Sequence, residues 1–522
     1  MKHLKLFYSI TIGISCLLIS CSEDNKINKN EDPIVNTETP TKKMLTITGI
    51  DAEYSAKIGT HFKLIPKVEK NNDEQLTYEW SIDFKKVSTN EKLDYICSKP
   101  GKFSCYLKIK SSKGNAKIVE FTLYVYTGYD QGLLLYTTTN GKAQLSYKSI
   151  NEMEVPAVKD VFTENNPTLT LGTVPLCLAW TGEGITNPQN LEESNPLEVV
   201  MACDNPRKIY LLDAVTLKAK NEVKYNGNNN SFSPNTAFVP YGNQNFLWNK
   251  DFNVIYFIGG GRDYLMTSDH NFILGKRSHQ LPSYVKIADM VCNLITNPMD
   301  MVRVYFDIAQ QHLIYVCGIR GVAESKISTS VKPIALLACN GKYASQNADY
   351  RYEPNQILLI GEKANKDIMI YHIAPTANKQ QERLISEKNV SGRITKTDAI
   401  GINPISPILY YGNNKGEIKM YNYIGENFSD KPFIQLGEQY SIKKIVFNPY
   451  NKKQMYVAAQ DTKAPINQSA TIFIINITDN EKGKIINKSE HLGGEIHNLI
   501  YKGNGTETVS YTHLTLPTTE RV

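Results

Sequence analysis

From Met44 to Tyr126, apolar and polar residues alternate in short runs separated by turn residues, without a helical period. A period of two puts alternate side chains against a core and in water, which is the pattern of strands. The expected strands are 45–47, 62–68, 76–82, 93–97, 103–110 and 117–126. Between the fourth and fifth lies Lys99-Pro100-Gly101-Lys102, where proline presets one turn dihedral and glycine accepts the other. Six or seven strands in about eighty residues fit an immunoglobulin-like β-sandwich.

From Tyr129 to Thr508 the texture becomes a loose repeat. Phe447-Asn448-Pro449 is followed by Gln454-Met455-Tyr456-Val457, and Ile402-Asn403-Pro404 by Ile408-Leu409-Tyr410-Tyr411. Phe306-Asp307 precedes Leu313-Ile314-Tyr315-Val316, and Leu247-Trp248 precedes Val254-Ile255-Tyr256-Phe257. Each pair reads as strand, turn, strand, with 45 residues from Ile402 to Phe447 and 96 from Phe306 to Ile402. Strand repeats of that period predict a β-propeller. About seven units can be placed: 132–146, 176–212, 237–273, 302–327, 334–373, 400–423 and 445–475. The stretch 495–501 would begin the unit that closes the ring, with 132–136 lending it a strand.

The ends follow other rules. Met1-Lys2-His3-Leu4-Lys5 leads into an apolar run from Leu6 to Ile19, too short to span a bilayer and suited to a secretory signal. The run ends in Leu18-Ile19-Ser20-Cys21, which resembles a lipobox, so Cys21 is the expected lipid-modified first residue after removal of 1–20. Residues 21–43 are polar, rich in Asn, Lys, Asp, Thr and Pro, and read as a disordered tether. Ser22-Glu23-Asp24 resembles the export signal that sends Bacteroidota lipoproteins to the outer leaflet of the outer membrane. Residues 509–522 break the preceding pattern and resemble translated sequencing adapter, a non-native tail; a chain cut near Thr508 would leave the last blade short. The expected domains are therefore 1–20 signal peptide, 21–43 tether, 44–127 sandwich, 128–508 propeller and 509–522 tail.

Composition narrows the function. Loss of Lys2 and Lys5 takes the net charge from +6 to +4, and no basic block gives a nucleic-acid footprint. No later segment has eighteen uninterrupted apolar residues, so the lipid is the only expected membrane contact. Besides Cys16 and Cys21 there are Cys97, Cys105, Cys177, Cys203, Cys292, Cys317 and Cys339, with no CxxC pair. Cys97 and Cys105 flank the Pro100-Gly101 turn and are placed to pair across it if it is a hairpin, but the odd count predicts no disulfide framework.

No HExxH, GxSxG, P-loop, calcium loop or dinucleotide turn is present, so no catalytic, cofactor-binding or metal residues are expected. Nine histidines are scattered singly, and Glu192-Glu193 reads as a solvated loop pair. Gly259-Gly260-Gly261-Arg262-Asp263 offers two readings, an anion nest of backbone amides or a hairpin turn; the turn is favoured. Trp80 could stack on a ligand, but a central-strand tryptophan normally packs between sheets.

Tyr78-Glu79-Trp80, Ser81-Ile82-Asp83, Pro100-Gly101-Lys102-Phe103 and Tyr106-Leu107-Lys108-Ile109 look like the central strand and later glycine turn of the PKD fold. With Ile47-Thr48-Gly49-Ile50-Asp51, Leu93-Asp94-Tyr95 and Phe121-Thr122-Leu123-Tyr124-Val125, residues 44–126 resemble the PKD-like lipoproteins of Bacteroidota. The resemblance implies a place beside TonB-dependent uptake systems. The expected function is thus a non-catalytic binding module at the cell surface, lipid-anchored to the outer membrane, that captures a glycan, peptide or cofactor nutrient. A propeller hydrolase or lyase and a docking scaffold for an outer-membrane complex are the alternatives.

Overall fold

The computed structural model describes residues 45–503, apart from 71–73, 181–197, 224–232, 239–254, 267–271, 275–280, 283, 298–299, 318–320, 340–355, 376–381, 405 and 449–452. Cys21, the signal peptide, the tether, the tail, Glu192-Glu193 and Leu247-Trp248 lie outside the described residues.

The first unit is a β-sandwich. One sheet runs in the order Glu53–Lys57, Ala116–Tyr126, Gly101–Ser111, Leu76–Ile82, Lys85–Ser88, with only the first pair parallel. The other layer pairs Thr46–Thr48 with Lys67–Glu69 and His61–Leu64 with Leu93–Ile96. Trp80, Leu107, Ile109 and Leu123 are fully buried between the layers. The Trp80 ring meets Phe121 edge-on at 6.3 Å, and its Nε1 donates to Asn90 O at 2.9 Å. It is a core residue whose polar edge is satisfied. All six expected strands are present, and the run 62–68 is split at Ile65-Pro66. Lys99-Pro100-Gly101 is not a hairpin, because the strand before it belongs to one layer and the strand after it to the other. Cys97 and Cys105 are accordingly both buried and free.

The second unit is a ring of antiparallel sheets. Blades 1 to 6 begin with the innermost strands Val174–Trp180, Thr236–Phe238, Cys292–Asn297, Lys332–Cys339, Ala399–Ile402 and Tyr440–Phe447. In each blade the strands follow one another outward in chain order. Blade 7 breaks this order: Glu495–Lys502 is innermost, and Gly132–Thr139 and Lys142–Ser149 lie outside it. Glu495–Lys502 packs against the innermost strands of blades 1 and 6 and so completes the circle. The two ends of the repeat region thus form one blade, and the described residues form seven blades. Blade 7 has three strands among the described residues. Its outer place is taken by the chain after Ser149, where Tyr147 and Val158 exchange 2.9 Å backbone bonds ahead of the short helix Val161–Asn165. The shortfall is therefore at the outer edge, while the C-terminal strand is in place.

Second and third strands are continuous apolar runs, such as Val199-Val200-Met201-Ala202-Cys203 and Ile472-Phe473-Ile474-Ile475, because each blade is covered on both faces by its neighbours. Outer strands, such as Arg383–Asn389 and Lys484–Ser489, face water and are mostly polar. Innermost strands start at uneven intervals, 40 residues from Cys292 to Lys332 and 67 from Lys332 to Ala399. Ile402 and Phe447 end innermost strands, whereas Phe306 and Leu313 belong to the second and third strands of blade 3. The three sequence pairs within the described residues are hairpins, but not all of them occupy the same place in a blade.

Tyr501 holds the closure. It is buried, stacks on Tyr456 at 6.0 Å, meets Trp180 edge-on at 6.2 Å, and its hydroxyl accepts from Gln131 Nε2 at 3.1 Å. Tyr501→Ala is expected to remove about 3–5 kcal/mol from the unfolding free energy. Urea titration followed by circular dichroism measures this, and an unchanged midpoint would show that the seam does not depend on that ring.

Candidate functional site

In an antiparallel blade the end of the innermost strand and the start of the second lie on the same face of the ring. Trp180 pairs with Val199, Phe238 with Tyr256 and Cys339 with Gln356. The segments 181–197, 239–255 and 340–355 therefore all leave and re-enter on one face. The sandwich joins on that face too, since Gly132 pairs with Lys502, the end of an innermost strand. Tyr124 Oη donates to Asp130 Oδ2 at 2.7 Å, and Tyr126 Oη to Glu152 Oε1 at 3.0 Å. Thr127 Oγ1 bonds Val215 O in a turn of blade 1, and Lys502 Nζ donates to Asp130 O at 2.6 Å. The sandwich is thereby fixed beside the face that carries the three longest innermost-to-second connections.

Two polar clusters are buried between blades. Between blades 2 and 3, Tyr305 Oη donates to Asp263 Oδ2 at 3.2 Å, and the Arg303 guanidinium stands 4.1 Å over the Tyr256 ring. Burial pushes Asp263 above the usual carboxylate range, against the opposing pull of Arg303 and the Tyr305 hydroxyl. Asp263 is the last residue of the glycine motif. Gly260 and Gly261 have φ of 61° and 80° and form a two-residue hairpin turn closed by the Gly259–Arg262 pair. Arg262 Nη1 donates to Pro282 O at 3.4 Å, which is a structural contact. The motif makes the expected turn, and its acid is carried into the seam.

Between blades 4 and 5, His372 Nε2 lies 2.6 Å from Gln356 Oε1 and 3.9 Å from Cys339 Sγ, and its ring meets Tyr423 edge-on at 5.4 Å. A thiol beside an imidazole is the arrangement of a nucleophilic pair. Here burial lowers His372 from 6.5 to about 4 and pushes the Cys339 thiol far up, so both are neutral. Neither group activates the other, and Asp263, Tyr305, Cys339 and His372 are all buried. Cys339 and His372 are far apart in sequence and sit on separate strands, so no motif could have revealed them.

Among the described residues, no three or more His, Cys, Asp or Glu side chains converge as a metal site. No helix among them is long and apolar enough to cross a membrane.

The class is now defined: an all-β chain with a PKD-like sandwich followed by a seven-bladed propeller. Residues 45–111 match the PKD-like domain family. No curated protein sequence matches the chain significantly. Among solved structures, a quinoprotein alcohol dehydrogenase-like protein from Bacteroides thetaiotaomicron is similar at 13% identity over 86% of this chain and 96% of its own, with a TM-score of 0.42. The Cps50 (Swd1) β-propeller domain of Myceliophteria thermophila is similar at 12% identity over 67% of this chain and 98% of its own, with a TM-score of 0.40. A chain of a mitotic checkpoint complex is similar at 10% identity over 60% and 78%, with a TM-score of 0.36. At these scores the likenesses carry no argument, and the propeller assignment rests on the order of the chain's own sheets.

His372 gives a pH signature. Folded, it stays neutral down to about 4, whereas the unfolded chain takes up its proton near 6.5. Its contribution is full above 6.5 and is lost as pH falls from there to about 4, by up to about 3 kcal/mol. Urea midpoints between pH 7 and 4 should fall more steeply for the natural protein than for His372→Gln. Parallel curves would show that the imidazole is not held neutral.

Proposed function

We propose that this chain is a non-catalytic binding module held at the cell surface by a lipid on Cys21. In this reading the tether 21–43 spaces it from the outer membrane, and the propeller captures a glycan, peptide or cofactor nutrient beside a TonB-dependent transporter. The observation that carries the binding part is one face of the ring, where the strand ends flanking three long connections and the sandwich junction lie. In sequence those connections include Tyr241, Phe246, Trp248, Tyr343, Tyr350 and Tyr352 among many Asn and Gln, a composition suited to flat, hydroxylated or amide-rich ligands. The buried Cys339–His372 pair supports a binding role over a catalytic one, since burial keeps both groups neutral.

Two measurements test the reading. Cys21→Ser should move the protein from the membrane fraction to the soluble fraction and abolish labelling by radioactive palmitate; unchanged fractionation would end the anchor proposal. Calorimetry of the form beginning after Lys43, against host and dietary glycans, peptides, corrinoids and haem, should give saturable binding of one class without turnover. Turnover of a ligand class would instead favour the hydrolase or lyase alternative, and no binding to any class would remove the capture reading.

A further inference from the structure

The end of the sandwich that leads into the propeller is assembled from several segments. Lys57 pairs with Tyr126, Lys102 with Tyr124 and Ile82 with Cys105, and Gly59 N donates to Cys97 O at 2.7 Å. Residues 57–60, 82–86 and 97–102 therefore share that end with Tyr126. They carry Lys57, Lys85, Lys86, Lys99 and Lys102, all exposed and none in an ion pair among the described residues. Asp83 is the one acid on these segments. The neighbouring carboxylates are engaged, Asp94 with His61 and Lys63, Asp130 with Tyr124 and Thr127, and Glu152 with Tyr126. The sequence shows no basic block because these lysines come from separate turns that only the fold gathers.

The same end presents a strained aromatic ring. Asp83 and Phe84 have φ of 52° and 59° and form a two-residue hairpin turn closed by the Ile82–Lys85 pair. The second place in such a turn favours glycine, and a bulky residue there is strained. Packing can repay that strain, but the Phe84 ring is 82% exposed, more than any other large apolar side chain among the described residues. Strain kept without an internal contact points to an external one.

Extent and direction narrow the partner. Lys57 and Lys85 stand on the two edge strands of the five-stranded sheet, four inter-strand spacings of about 4.8 Å apart, or roughly 19 Å in all. A chain of charged units matches that span, whereas a small anion covers a fraction of it. Thr46, where the chain enters, pairs with Glu69; the neighbouring Lys70 reaches Glu74 O, and Glu74 accepts from Ser111 Oγ at 2.9 Å. Entry is thus at the opposite end of the sheet, and the lysines face away from a membrane to which residues 21–43 would tie the chain.

We propose that this end of the sandwich binds an acidic polysaccharide, with Phe84 stacked on one sugar ring and the five lysines opposite carboxylate or sulfate groups along the polymer. Charge complementarity sets the sign of the partner and the span its polymeric nature. The single ring sets its class, since a nucleic-acid strand is held by a series of rings for successive bases. The surface belongs to the sandwich and not to the propeller connections, so this binding and nutrient capture by the propeller can fail separately.

The test is calorimetric titration of the full chain at low ionic strength with heparin and with polygalacturonate, dextran being the uncharged control. Saturable binding to at least one acidic polymer is expected, lost as salt is raised, with none to dextran. Lys85→Glu with Lys86→Glu should weaken it about tenfold or more, and the corresponding double arginine variant should retain it. Phe84→Gly should weaken it about threefold or more while raising the urea midpoint, because the strain goes with the ring. Lys110→Glu, at the far end of the sheet, should leave binding unchanged. The proposal is overturned if neither acidic polymer binds, if the double glutamate variant or Phe84→Gly keeps the natural affinity, or if Lys110→Glu weakens binding as much. It is equally overturned if oligodeoxythymidine or phosphatidylglycerol vesicles bind more tightly than both polymers.

Discussion

Everything in the propeller depends on the hydrogen bonds between Gly132–Thr139 and Glu495–Lys502. These strands lie at opposite ends of the repeat region, and Gly494 N reaches Thr139 Oγ1 across 355 residues. Without that ladder, Gly132–Thr139 and Glu495–Lys502 would each present an unpaired edge to water. Closing so long a loop has an entropic cost that grows only slowly with length, so one well-packed seam suffices. The seam has the means: Leu133, Leu134, Leu135 and Tyr136 are all fully buried, and Tyr136 Oη donates to Ala202 O at 3.0 Å.

The buried polar seams show a different use of the same architecture. Apolar faces pack blades together but tolerate sliding, whereas a bond such as Tyr305 to Asp263 is satisfied in one alignment only. Each such group is costly if its partner shifts, which makes the pair a register pin between blades. His372 with Gln356 and Tyr423 plays that part between blades 4 and 5.

Much of the fold was legible in the sequence, and particular residues show why. Second and third strands such as Val199–Cys203 are buried on both faces and read as solid apolar runs, and alternation marked Gly101–Ser111 and Ala116–Tyr126 in the sandwich. Glu53–Lys57 and Lys85–Ser88 were missed because edge strands with one wetted side carry too few apolar residues to signal. Place within a blade was also hidden, since Phe306–Leu313 and Phe447–Met455 look alike as hairpins and only the neighbouring blade distinguishes them. The glycine turn was readable from residue type alone. The polar pairs buried between blades were not, because nothing in a sequence says which strands face one another across a seam.

Lys502 grips the carbonyl of Asp130, the residue whose carboxylate also takes the hydroxyls of Tyr124 and Thr127 at the end of the sandwich. The joint between the two units and the lock of the ring are therefore one knot. During synthesis the sandwich can fold as soon as it emerges and Gly132–Thr139 can pair at once with Lys142–Ser149, but its inner edge must wait for Glu495–Lys502. Until then the edge of Gly132–Thr139 is exposed beside an already folded sandwich. Closure of the ring and rigid attachment of the sandwich then become a single late event in its biogenesis.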